Sequence, residues 1–119
     1  MPQAEISLSI PENLQQEIQS KGGLEKILMN VPSLEQIEQE SRTFKALADP
    51  LRLQILHILR QQAMCVCLIK EITGEADSKL SYHFSVLKDA NLIRGEYEKN
   101  WIIYRLTNLG EKVLEPWSE

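Results

Sequence analysis

No stretch of this chain approaches the roughly 18 uncharged apolar residues of a membrane helix. Its first residues have neither the basic start nor the apolar run of a secretory signal. Both absences predict a protein that stays in the cytoplasm, with no membrane partner. Cysteine is scarce, with only Cys65 and Cys67 in the chain. A disulfide framework needs more, so in a reducing compartment this pair reads as free thiols, a soft-metal site or a redox pair. No internal repeat and no low-complexity segment is found. Also missing is a strongly basic block. The formal charge is −4, and it is unevenly spread. Residues 1–41 hold two lysines against seven glutamates, whereas residues 42–119 hold eleven Lys/Arg against ten Asp/Glu. The acidity belongs to the N-terminal third; elsewhere electrostatics permits nucleic-acid binding without announcing it.

What is present suits one domain: 119 residues with 43% hydrophobic content support an ordinary core. Ser9-Ile10-Pro11-Glu12 predicts a helix start, with Leu14 and Ile18 as a narrow apolar stripe that Gly22-Gly23 interrupts and Leu24, Ile27 and Leu28 resume. So few apolar positions predict packing on another body, the chain's own domain or a second subunit. Ser33 with Gln36 three residues on is a capping-box pattern, opening a helix to about Ala48 with the stripe Leu34, Ile37, Phe44 and Leu47. Asp49-Pro50 is a cap followed by a first-turn proline, so a new helix carries Leu51, Ile55, Ile58 and Leu59. Both helices read as core-forming.

Cys65 to Thr73 predicts about two helical turns ended by Gly74, with Glu75-Ala76-Asp77 as a turn. A helix then starts at Ser78, its stripe Leu80, Phe84, Leu87 and Ala90 closed by Asn91. Beyond it the period falls from 3.6 to 2. Ile93 to Tyr97 and Trp101 to Leu106 read as strands joined by Glu98-Lys99-Asn100. Asn108 with Glu111 predicts a cap for a last helix that stops near Pro116.

A short helix, a tight turn, a second helix and a hairpin form the order of a winged helix-turn-helix, a mainly α fold in which the second helix enters the DNA major groove. At 100° per residue Ser78, Ser81, Tyr82 and Ser85 point away from the apolar stripe, offering hydroxyls to phosphates or base edges. A solvated, serine-rich surface is the plain alternative, but a helix built for stability favours Glu, Lys or Ala there. Lys79 and Lys88 flank the face as phosphate clamps, while the hairpin offers Arg94, Lys99 and Asn100 to a neighbouring groove. His83 lies toward the Leu87 side and reads as a partly buried structural histidine.

From Phe44 to Leu106 the chain resembles the ArsR/SmtB family of winged-helix repressors. Four motifs carry the likeness, in the family's order: FKALADPLRLQILHIL at 44–59, CVC at 65–67, LSYHFSVLKDANLI at 80–93 and WIIYRL at 101–106. The resemblance implies a homodimer, with residues 1–32 and 107–119 as dimerisation segments around a DNA-binding core at 33–106. It also implies an operator of inverted half-sites, released when an inducer binds. Asn91 stands where the family commonly has glycine.

Cys65-Val66-Cys67 lies where arsenic-sensing relatives hold As(III) or Sb(III) through thiolates, a soft donor for a thiophilic ion. A helix N-terminus also favours the thiolate form. The relatives usually carry a third cysteine three residues later, where this chain has Lys70. Residues i and i+2 are about 200° apart on a helix, so the first turn has to unwind for both sulfurs to reach one ion. Four readings stay open: a two-thiolate sensor of As(III) or another soft ion with water or an external thiol completing the shell, a thiol redox switch, two reduced cysteines packed as small hydrophobes, or a sensor of an unrelated ligand. The family's second metal site, built from Asp, His and Glu in the last helix, has no counterpart because no histidine follows His83. An oxidoreductase is disfavoured, since Cys-x-Cys is not the Cys-x-x-Cys motif and no βαβ pattern surrounds it. A winged-helix interaction module without DNA binding is the remaining alternative, favoured by the acidic N-terminal third.

Overall fold

The computed structural model describes residues 8–117. The first seven residues of the N-terminal segment expected over 1–32, and residues 118–119 of the C-terminal one, lie outside the described residues. The chain forms two compact units, residues 1–38 and 39–119. In the first, α1 spans Glu12–Ser20 and α2 spans Gly23–Met29. Gly22 separates them with φ 94°, a left-handed conformation that glycine adopts without steric cost. Neither helix has a fully buried residue.

Helix α3 spans Leu34–Leu47, and residues 39–47 of it belong to the second unit. Its start is the expected capping box: the Ser33 amide donates to Gln36 Oε1 at 3.1 Å and the Gln36 amide to Ser33 Oγ at 3.2 Å. The expectation that its stripe forms core is corrected. Leu34, Ile37 and Phe44 are exposed; of the stripe only Leu47 is half-buried and packs against the core, and Ala46 is the buried residue of this helix. Helical spacing marks a face that wants cover without saying which body supplies it.

Helix α4, Pro50–Gln61, starts as expected, with Asp49 Oδ1 accepting from the Arg52 amide at 3.0 Å. After α4, Met64 forms an isolated antiparallel bridge with Tyr104. Helix α5 follows at Val66–Thr73 and ends on Gly74 at φ 73°. Helix α6 covers Asp77–Asp89, one residue earlier than expected, because Ala76 rather than Asp77 takes the extended N-cap conformation. Asn91 closes the segment in the left-handed region at φ 60°.

Strands β1, Ile93–Glu98, and β2, Trp101–Leu106, form a two-stranded antiparallel sheet. Glu98 pairs with Trp101, so the connection is the two residues Lys99-Asn100 and not the three expected. Lys99 supplies the tight reversal at φ 58°. The last helix, α7, spans Asn108–Leu114 and runs into a 3-10 turn at Glu115–Trp117. Its cap is Thr107, not Asn108: Thr107 Oγ1 accepts from the Gly110 amide at 3.1 Å and donates to Asn91 O at 2.7 Å. A bond to the end of the preceding segment favours the threonine, and the local pattern could not register it.

The core of the second unit joins Ile55, Leu56 and Leu59 of α4, Ile69 of α5, Leu80, Phe84 and Leu87 of α6, Tyr104 of β2 and Leu114 of α7. Fully burying one such aliphatic side chain contributes about 1.5–3 kcal/mol. Among the described residues, no helix is long and apolar enough to cross a membrane.

Candidate nucleic-acid interface and cysteine pair

Helix α6 owes its orientation to its underside. Leu80, Phe84 and Leu87 are at most 2% exposed, and the Phe84 ring lies 4.7 Å from that of Tyr104. The opposite side carries Ser78, Lys79, Ser81, Tyr82, Ser85 and Lys88, all exposed, Tyr82 at 62%. None of the three serine hydroxyls has a hydrogen-bond partner among the described residues. Each is therefore free to meet an external donor or acceptor.

His83 is 7% exposed, as its angular position suggested. Its partner was not foreseen. Arg52 Nη1 donates to His83 Nδ1 at 2.9 Å. A guanidinium has no acceptor, so Nδ1 must be the lone-pair nitrogen and the ring proton sits on Nε2. The same guanidinium donates through Nε to Ala46 O at 2.7 Å and through Nη2 to Lys45 O at 3.2 Å. Arg52 thereby ties the C-terminal carbonyls of α3 to α6.

One expected phosphate clamp and one expected wing contact are engaged internally. Lys79 Nζ pairs with Glu75 at 3.1 Å, and Arg94 Nε with Glu96 at 3.3 Å. Arg105 approaches the same Glu96 oxygen at 3.8 Å. Lys88, and Lys99 and Asn100 at the hairpin tip, are exposed without such partners among the described residues. Sequence reasoning missed a cleft of about 310 Å³ beside α6, lined by Arg42, Lys45, Arg52, Tyr82 and Asp89 among others. No motif marks Arg42 or Lys45; only the fold brings the end of α3 against Tyr82.

The cysteines fall at the start of α5. Cys65 is its N-cap, with extended backbone at φ −83° and ψ 164°, and Cys67 is its second residue. Because Cys65 stands outside the helix, the two sulfurs meet and are joined as a disulfide. The expectation that the first helical turn must unwind is thus corrected: the separation of 200° applies between two helical residues, and Cys65 is not one. Cys65 is 9% exposed and Cys67 is exposed. No cluster of three or more His, Cys, Asp or Glu side chains that could hold a metal occurs among the described residues. Cys65 also adjoins the wing, since Met64 and Tyr104 exchange backbone hydrogen bonds of 3.2 and 2.8 Å.

Comparison with known proteins agrees with this geometry. The profile of the family described as "Bacterial regulatory protein, arsR family" matches residues 49–94. The arsenical resistance operon repressor of Bacillus subtilis is 42% identical over 81 residues, covering 67% of this chain and 77% of that protein. The arsenical resistance operon repressor of Escherichia coli is 32% identical over 65 residues, covering 54% of this chain and 56% of that protein. Among solved structures, NolR from Sinorhizobium fredii superposes with a TM-score of 0.66 at 29% identity, covering 75% of this chain and 93% of that one. A homodimeric winged helix-turn-helix DNA-binding domain from Mycobacterium bovis, a possible ArsR-family regulator, gives 0.64 at 29% identity, covering 73% and 83%. An outward hydroxyl face on a buried-stripe helix, followed by a two-stranded wing, and relatives of this closeness lead to one conclusion: the chain belongs to the ArsR family and is a DNA-binding transcriptional repressor with a winged helix-turn-helix fold, not an enzyme.

Proposed function

We propose that this repressor binds an operator of inverted half-sites as a homodimer and leaves it when As(III), or a soft ion of like chemistry, is captured by Cys65 and Cys67. The observation that carries the reading is the meeting of the two sulfurs at the N-cap of α5, the helix that precedes the DNA-reading helix. In the reduced protein those sulfurs are two thiols within reach of one ion. Arsenite, As(OH)₃, forms two As–S bonds with them while two As–O bonds break, and the thiol protons leave in two waters. Exposed Cys67 leaves room for the remaining hydroxide or an external thiol. Sb(III) has the same thiophilicity.

Release follows from position. Capture at Cys65 pulls on Met64, hence on β2 through Tyr104, and on α5, which packs against α6. A small rotation there misplaces Ser78, Ser81, Tyr82 and Ser85 against base edges. Lys79, Lys88, Arg94, Lys99 and Asn100 supply backbone and minor-groove contacts, Lys79 and Arg94 after giving up their internal carboxylates. The dimer is supported by the exposed Phe44 and Trp117, which with Leu47, Leu53 and Val113 line an apolar groove of about 500 Å³. Two-fold symmetry then sets the recognition helices about 34 Å apart, one DNA turn.

A second reading rests on the disulfide itself. Two thiols and one peroxide yield the disulfide and two waters, an oxidation that would switch the repressor without any metal. Parallel titration of the protein–operator complex with arsenite, Cd(II), Zn(II) and peroxide tests both. Release by arsenite at sub-stoichiometric peroxide, abolished in Cys65→Ser while DNA binding persists, supports the metalloid reading. Release by peroxide alone favours the redox switch. A fully responsive Cys65→Ser protein excludes both.

A further inference from the structure

We propose that the cleft between the C-terminal end of α3 and α6 seats a DNA backbone phosphate, so that Arg42 and Lys45, both outside the helix-turn-helix, carry part of the DNA affinity. The inference rests on the DNA-binding reading of α6 and extends it to a second element.

Charge availability is the first argument. A domain near charge balance must place its free cations well to attract a polyanion. Around the reading helix, Lys70, Lys79, Arg94 and Arg105 each face an internal carboxylate within 4 Å. Exposed pairs of this kind are weak, but a phosphate has to displace the carboxylate before it gains the cation. Arg42 and Lys45 have no carboxylate partner within salt-bridge distance among the described residues. Asp89 is the one acidic side chain among the cleft's lining residues, against Arg42, Lys45 and Arg52.

Rigidity is the second. Arg52 clamps Lys45 O, Ala46 O and His83 Nδ1 with three separate N–H groups. The last turn of α3, which carries Lys45 and follows directly on Arg42, is thereby held against the helix that reads the bases. A cation on a fixed turn loses less freedom on binding than one on a mobile tail. Arg52 keeps two of its five N–H groups and its full charge at the cleft.

Continuity is the third. Tyr82 lines the cleft and also belongs to the outward hydroxyl face of α6. A strand whose bases meet Ser81, Tyr82 and Ser85 must run its backbone along one flank of α6, and the Tyr82 flank opens into this cleft.

The test measures binding of the full-length protein to two duplexes across a salt series: one selected from a random pool by the wild-type protein, and one random sequence of equal length. Arg42→Gln and Lys45→Gln should each weaken binding to both duplexes by the same factor and lower the salt slope by about one per protomer. Arg42→Lys and Lys45→Arg should restore the slope, and unchanged melting temperatures should show that folding is intact. Wild-type slopes in both glutamine variants, or loss confined to the selected duplex, overturn the cleft while leaving the regulator reading in place. Wild-type protein that binds neither duplex overturns both. Inorganic phosphate at matched ionic strength should compete no better than chloride; specific competition that vanishes in Arg42→Gln assigns the cleft to a free anion instead.

Discussion

Met64 and Tyr104 are joined through their backbones, the Met64 amide donating to Tyr104 O at 3.2 Å and the Tyr104 amide to Met64 O at 2.8 Å. The bridge places Cys65 one residue from the wing, and a strand transmits displacement along its length because its partners are bonded in register. Trp101 lies at the far end of that same strand and is 52% exposed. In a Trp117→Phe background, Trp101 emission should shift when arsenite is added to the reduced protein. The same protein carrying Cys65→Ser should show no shift. A signal that persists in Cys65→Ser would cut the link between the cysteines and the wing.

The outward face of α6 predicts a separation of binding from assembly. Tyr82→Ala should cost about 1–3 kcal/mol of operator affinity, and Ser81→Ala a smaller amount, through lost hydrogen bonds to bases or phosphates. Neither side chain belongs to the buried core, so mass and melting temperature should be unchanged. Gel shift and sedimentation on the same samples check both halves; wild-type affinity in both variants would remove these residues from the interface.

Gly110 is buried where α7 passes the end of α6's following segment, and a Cβ there would meet the carbonyl oxygen of Leu92. Backbone cannot swing aside as a side chain does. Gly110→Ala should therefore destabilise the fold by about 1–3 kcal/mol, seen as an earlier thermal midpoint. Melting at the wild-type temperature would mean that α7 shifts freely.

Asp49 predicts an acid-side effect. The Arg52 amide bonded to its carboxylate holds the Asp49 pKa below the ordinary aspartate value, assisted by the Arg52 charge and opposed by partial desolvation. Because the folded-state value is the lower one, the stabilisation is complete above the ordinary value. It is lost as pH falls through the folded value. Asp49→Ala should cost about 1 kcal/mol at neutral pH through loss of the cap. The gap from wild type should close in strongly acidic buffer. Chemical denaturation at several pH values measures this, and a gap that widens with acid would contradict the sign.

Signals confined to a few neighbouring residues were legible beforehand. Ser33 with Gln36, Asp49 before Pro50, Gly74 and Asn91 each satisfy or close a helix end by local geometry, and each was found where expected. The buried stripe of α6 followed from its period, and the serines on the other side from the same arithmetic. Errors arose where a distant group competes. Thr107 displaced Asn108 as a cap because Asn91 O lies within its reach, and the stripe of α3 stayed open at Leu34, Ile37 and Phe44 although its spacing matches that of a core helix.

The sequence by itself therefore determined the order of elements from α3 onward, the helix ends closed by a local cap and the face that α6 turns outward, since these depend on backbone hydrogen bonds and periodicity within a few turns. Tertiary structure alone decided which cations remain free, that Arg52 locks α3 to His83, and that Cys65 borders the wing. Those relationships join residues far apart in the chain, and their strength depends on distance and burial in space, which no local pattern of residues encodes.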